Sequence, residues 1–168
     1  TIMTVQNIEK LLVSADTTIR QAMAVIENAP PKTGISGIAI VVDRARKLLG
    51  VVTDGDIRSA ILHDIELDEP VERIMTREPI AVPVHSSPMK MYESVMEMIR
   101  GGTRMLDRGA GKILVVNDDH MVVDVVSFFH LWQQADIKTR RIAVLGLGFV
   151  GLTLAVVLAD AGFNVLGV

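Results

Sequence analysis

Leu48-Leu49-Gly50-Val51-Val52-Thr53-Asp54-Gly55-Asp56-Ile57 is the stretch that decides the fold, because a weaker copy follows as Val122-Val123-Asp124-Val125-Val126-Ser127-Phe128-Phe129-His130-Leu131. Each copy is an apolar strand ending in a hydroxyl residue, with a polar residue three positions later that opens a helix. A period of about 72 residues is too long for a solenoid and suits two tandem copies of one small α/β unit. Arg141-Ile142-Ala143-Val144-Leu145-Gly146-Leu147-Gly148-Phe149-Val150-Gly151 then begins something unrelated to either copy.

Working outward, the first copy predicts a short strand at Leu11–Val13 and a helix whose start is marked by Thr18 and Gln21. That spacing makes a capping box, in which each side chain satisfies a free backbone N–H of the first turn. Ile19, Ala22, Met23 and Ile26 recur at i, i+3, i+4 and i+7, the stripe of an amphipathic helix, and Pro30-Pro31 ends it. Ile38–Val42 and Leu48–Val52 read as a strand pair around the charged loop Asp43–Lys47. A helix from Asp56 to His63 closes the unit, with Ile57, Ala60 and Ile61 inward. The second copy repeats the order: strand Ile80–Val82, helix Pro88–Ile99, strands Ile113–Val116 and Val122–Val126, closing helix Phe128–Gln134. Between the copies, Val71, Ile74 and Met75 predict a short bridging helix. Met89, Met91, Met96 and Met98 are read as adaptable core and interface filler.

Composition narrows the function classes. The chain has 168 residues, 49% of them hydrophobic, enough for one full core or two small ones. A formal charge of −3 without a strongly basic block argues against general nucleic-acid binding. With no cysteine there are no disulfides, thiolate catalysis or zinc–sulfur sites, which fits a reducing cytoplasm. The four histidines share no metal-ligand spacing, and no Ser/His/Asp set can be assembled, so neither a metal centre nor a catalytic site is expected. Ile142–Val168 is very apolar, but its glycines, Asp160 and Asn164 argue against a membrane span. No charged start precedes an apolar h-region at the N-terminus, so no signal peptide is expected.

Thr53-Asp54-Gly55-Asp56 carries two readings. In one, Thr53 caps the helix and Asp56 completes a capping box. In the other, both side chains face a cleft at the helix N-terminus, where free N–H groups favour a phosphate and a carboxylate can accept bonds from both hydroxyls of a ribose. Gly101–Lys112 carries three cations and reads either as a solvated loop or as a cover over phosphates.

Gly50-Val51-Val52-Thr53-Asp54-Gly55-Asp56 resembles the glycine–apolar–apolar–Ser/Thr–x–x–Asp signature of cystathionine-β-synthase (CBS) domains, and Val71-Glu72-Arg73-Ile74-Met75-Thr76 is similar to the connector before a following copy. The resemblance covers roughly the first 135 residues and implies a tandem CBS-domain pair of α/β (α+β) class, with repeats at 1–67 and 68–136. It implies an adenosine ligand (AMP, ADP, ATP or S-adenosylmethionine), with Thr53 touching phosphate or ribose, Asp56 holding the ribose hydroxyls, and adenine against the strand Ile38, Ala39 and Ile40. It also implies a homodimer that regulates an attached enzyme. In the second copy Ser127 keeps the hydroxyl, while Asp124 replaces the glycine and His130 the aspartate. An imidazole cannot chelate a diol as a carboxylate does, so one competent site and one weakened site are expected.

In the last segment, 141–168, the triplet Gly146, Gly148 and Gly151 lies between a predicted strand, Arg141–Leu145, and a helix, Leu152–Ala161, with a second strand at Phe163–Val168. That is the context a dinucleotide-binding turn requires. It resembles the start of the UDP-glucose and GDP-mannose dehydrogenases, which implies a Rossmann-like β-α-β fragment. The ribose-binding acid expected about 20 residues on would fall past Val168, so NAD is expected only in a longer parent protein. The apolar strands are expected to pack on the preceding module or on a partner chain, or to be disordered. As it stands, the chain is expected to bind a small nucleotide and not to be an enzyme.

Overall fold

A computed structural model describes residues 7–33, 35–101, 111–128, 131, 141–160 and 163–168. A 3-10 turn at Ile8–Leu11 leads into β1 (Leu12–Ser14), α1 (Ile19–Asn28), a helical turn α2 (Pro30–Thr33), β2 (Ile38–Val42), β3 (Leu48–Thr53) and α3 (Asp54–Leu62). A 3-10 turn at Val71–Arg73 stands where the sequence predicts a bridging helix. The second repeat gives β4 (Ala81–Pro83), α4 (Pro88–Arg100), β5 (Lys112–Val116) and β6 (Val122–Ser127), and β7 (Arg141–Val144), α5 (Phe149–Asp160) and β8 (Asn164–Gly167) follow. The expected closing helix Phe128–Gln134 falls largely outside the described residues.

The two repeats are built alike down to their irregularities. Each has a three-stranded sheet, β1-β2-β3 and β4-β5-β6, in which the first pair is parallel and the second antiparallel. Both hairpins slip register at matching places, between Val41 and Val42 and between Val115 and Val116. Both turn through a left-handed residue, Arg46 at φ 66° and His120 at φ 63°. Asp43 Oδ1 accepts from Lys47 N at 2.8 Å, and Asn117 Oδ1 accepts from Met121 N at 2.9 Å, so a short acceptor side chain braces each loop.

Three apolar clusters follow. Val13, Ile19, Ala22, Ile26, Ala39, Val41, Val52 and Ile57 pack between the first sheet and its own helices. Ile80, Val82, Met91, Val95, Ile113, Val115, Val126 and Leu131 do the same in the second repeat. The third cluster joins the repeats: Leu11, Ile38, Ile40, Val42, Leu48 and Val51 meet Leu114, Val116, Val122 and Val125. Strands β2 and β5 are thus apolar on both faces, because one face meets helices and the other meets the opposite sheet. The hairpins also touch through the backbone, with Lys47 bridged to Met121 and Leu48 N donating to His120 O at 3.0 Å.

The Thr18–Gln21 capping box forms as expected, and Ile19, Ala22 and Ile26 are buried, but Met23 lies at the edge of its stripe, 36% exposed. Ile61, expected inward, is 51% exposed; α3 buries Asp56, Ile57 and Ala60 instead. Helix α3 begins two residues earlier than expected, and its buried residues lie toward its N-terminal cap. Of the four methionines in α4, Met91 is fully buried and Met98 is exposed.

The last unit is a parallel β-α-β: β7 pairs with β8, and its element contacts are with one another. The expected cover for its apolar strands is not found in the described residues. Helix α5 buries no residue, and Phe149, Val150, Val156 and Val157 are exposed.

Ile40 is fully buried in the cluster between the repeats. Ile40→Ala is expected to cost about 2–5 kcal/mol of unfolding free energy in urea titration, because a seam held from both sides cannot collapse to fill the gap.

Candidate functional site

Thr53 ends β3 in extended geometry (φ −119°, ψ 166°) and caps α3. Its backbone N–H and its hydroxyl both donate to Asp56 Oδ2, at 2.9 Å and 2.8 Å, while the hydroxyl oxygen accepts from Asp56 N at 3.3 Å. The capping reading is therefore realised in full. Both residues are 4% exposed. The two bonds fall on one carboxylate oxygen, and Oδ1 takes neither. An ionised carboxylate offers about four lone-pair positions, so half its accepting capacity is left on Oδ1. Capping fixes the rotamer of Asp56, and a fixed carboxylate suits a vicinal diol better than a mobile one.

Ile38 pairs with Thr53 across the β2–β3 ladder. Ile38 and Ile40 turn into the cluster between the repeats, and Ala39 turns toward the helices. Of the expected ligand residues, Thr53 and Asp56 are brought into contact with each other, and Ile38 lies opposite Thr53. Ala39 and Ile40 continue along the same strand.

Gly50, the glycine of the motif, has a structural cause. The connector adds an antiparallel bridge to β3, with Val51 N donating to Thr76 O at 3.0 Å and Thr76 N to Val51 O at 2.9 Å. A Cβ at Gly50 would sit 2.5 Å from Thr76 O and 3.2 Å from Met75 Sδ. The connector thus locks onto the first repeat before the second begins.

In the second repeat, Asp124 occupies the glycine position and is buried, its Oδ1 accepting from Val125 N at 2.8 Å. Ser127 ends β6 opposite Lys112, as Thr53 ends β3 opposite Ile38. His130 and most of the cationic loop lie outside the described residues. Lys112 is not part of that loop: it is the first residue of β5. Burial pushes its ammonium below the ordinary lysine value, and the nearby Asp54 carboxylate opposes that shift. Gly37 precedes β2 at φ 69°, as Gly111 precedes β5 at φ 67°. A Cβ on Gly37 would fall 2.8 Å from Asp54 Oδ2 and 3.5 Å from Lys112 Nζ. Sequence reading missed the grouping of Gly37, Asp54 and Lys112. The signal was available in the strand pairing, which puts Lys112 in the place of Ile38.

Residues 3–63 match the family model described as "CBS domain". The CBS domain pair of MJ0100, solved in complex with 5′-methylthioadenosine and S-adenosyl-L-methionine, superposes with a TM-score of 0.55 at 20% identity, over 73% of this chain and 88% of that one. The cytosolic domain of the Mg2+ channel MgtE, in complex with ATP, gives 0.58 at 19% identity, over 77% and 46%. CBSX2, in complex with AMP, gives 0.54 at 17% identity, over 74% and 85%. At such identities the likeness is one of fold, a tandem CBS-type pair. An uncharacterized protein of Helicobacter pylori (strain ATCC 700392 / 26695) is 29% identical over 104 residues, 62% of this chain. That match takes in only 28% of the relative's length. Among the described residues, no helix is long and apolar enough to cross a membrane.

Gly50→Ala is expected to destabilise the fold by about 1–3 kcal/mol in thermal or chemical denaturation, since the methyl group meets connector backbone and not a flexible side chain.

Proposed function

We propose that this chain is a regulatory module that binds an adenosine ligand at Thr53 and Asp56. The observation that carries the reading is the buried Asp56 carboxylate. It is held rigid through Oδ2 and keeps Oδ1 for a diol, in a segment that matches the CBS domain. The free N–H groups at the start of α3 suit a phosphate, and Ile38–Ile40 supplies an apolar strand for adenine. Structures of similar fold hold AMP, ATP, or methylthioadenosine with S-adenosylmethionine, which supports adenosine as the shared part of the ligand. Regulation follows if the ligand binds one arrangement of the repeats better than another and so shifts its population. The second repeat has His130 where the first has Asp56, so a diol is held less well there. The same resemblance supports a homodimer, which sedimentation velocity tests.

AMP, ATP and S-adenosylmethionine in a thermal-shift series test the reading. A ligand at a hundred times its Kd is expected to stabilise the chain by about 2.7 kcal/mol. Asp56→Ala is expected to abolish that shift. If no adenosine compound moves the melting temperature, the Thr53–Asp56 pair is a cap alone and the module is a ligand-free dimerisation scaffold.

Geometry at residues 141–168 supports a second reading, that the regulated enzyme is an NAD-dependent oxidoreductase acting on sugar nucleotides. Gly146 has φ 87°, a Cβ on Gly151 would lie 1.8 Å from Gly146 O, and nothing stands within 4 Å of a Cβ on Gly148. These match the three tasks of a dinucleotide-binding turn: a tight bend, close helix–strand packing, and open access for a pyrophosphate. Tight NAD binding by this chain without adenosine-nucleotide binding would make the dehydrogenase the primary function.

A further inference from the structure

Resting on the ligand site proposed above, we infer that Lys112, supplied by the second repeat, makes the first repeat's site selective for adenosine ligands that carry a 5′-phosphate over 5′-thio ligands. The two hairpins are equivalent residue for residue. Lys112 faces Ser127 on β6 as Ile38 faces Thr53 on β3, and each follows a left-handed glycine. Ile38 is spent on the apolar seam between the repeats, where it is 2% exposed. In the same structural place the second repeat carries an ammonium. An isoleucine there would extend the seam, so the lysine is a departure from what packing favours.

The ammonium crosses to the first repeat. Its Nζ and Asp54 Oδ2 both come close to the bare Cα of Gly37, one residue before the strand expected to hold adenine. The Lys112 ammonium makes no hydrogen bond or ion pair with the described residues. Asp54 is the carboxylate that eases its burial. Asp56 Oδ2 is already committed to Thr53. A half-buried cation beside the positive end of α3 therefore lacks a full counter-charge. A phosphate group at the Thr53 end of the site supplies one, and a charge-assisted bond to it outweighs the weaker attraction of Asp54. A neutral thioether gains nothing from the ammonium, and a sulfonium is repelled by it.

Isothermal titration with AMP and with 5′-methylthioadenosine tests this on the whole chain, on Lys112→Ile, on Lys112→Arg and on Asp56→Ala. Lys112→Ile restores the residue type of the matching position and so is expected to fold. It is expected to weaken AMP by about tenfold or more and to leave methylthioadenosine within about twofold. Lys112→Arg is expected to keep most of the AMP preference, and Asp56→Ala to lose both ligands. An unchanged AMP-to-methylthioadenosine ratio in Lys112→Ile overturns the inference while the site stands. Failure of the unaltered chain to bind either compound overturns the site and this inference together.

Discussion

Neither three-stranded sheet can bury both of its faces alone, and that constraint governs the rest of the structure. Each has helices on one side only, so Ile38, Ile40, Leu114 and Val125 must find an opposing sheet. An apolar sheet face left in water forfeits the free energy of its burial. Sheet-to-sheet contact removes that face from both repeats at once and brings their strand ends together. The Thr53–Asp56 pair consequently stands near residues of the second repeat, and Lys112 can reach Gly37 and Asp54. The grouping of Gly37, Asp54 and Lys112 is therefore a property of the pair.

Near-symmetry makes the departures from it informative. Gly50 is required because the connector lies on β3, and Asp124 takes its place where a methyl group would be tolerated or not according to what covers β6. Ile38 and Lys112 exchange an apolar seam contact for a charge. Asp56 has His130 at its matching position, a carboxylate against an imidazole. Gly50 and Asp124 lie within β3 and β6, and Ile38 and Lys112 open β2 and β5. The sheets themselves keep the same order, the same register slip and the same left-handed turn residue. The sheet framework is thus the same in the two copies, while individual side chains on it differ.

Much of this was legible in the sequence, for definable reasons. The strand pairs were plain because unbroken Val/Ile runs bounded by charged loops fit little else, and the Thr18–Gln21 box was plain because capping depends on local spacing. Thr53 and Asp56 were legible as a pair for the same reason, although their spacing could not separate cap from ligand site; the structure shows the cap, with one oxygen left over. Ile61 was misread because helical spacing gives a stripe's period, not its phase, and α3 starts two residues earlier than its polar signals suggest. The bridging helix shrank to a 3-10 turn, and Thr76 just beyond it pairs with Val51 of β3. Lys112 was legible only as one of the cations of Gly101–Lys112, because its place on β5 opposite Ser127 depends on a long-range register. One sequence signal went unused: Ile74-Met75-Thr76 recurs as Ile2-Met3-Thr4, extending the repeat to the connector.

The last unit obeys the same burial logic with a different outcome. Its glycine turn is formed in detail, yet the helix that the turn opens hides none of Phe149, Val150, Val156 or Val157. A β-α-β unit whose helix and strands are apolar all round belongs inside a larger parallel sheet with helices on both faces. The local geometry of Gly146 and Gly151 does not depend on that sheet, because a bend and a close helix–strand contact are set within a few residues. The turn is therefore formed without cover for the helix it opens, whereas the two repeats cover one another's sheets.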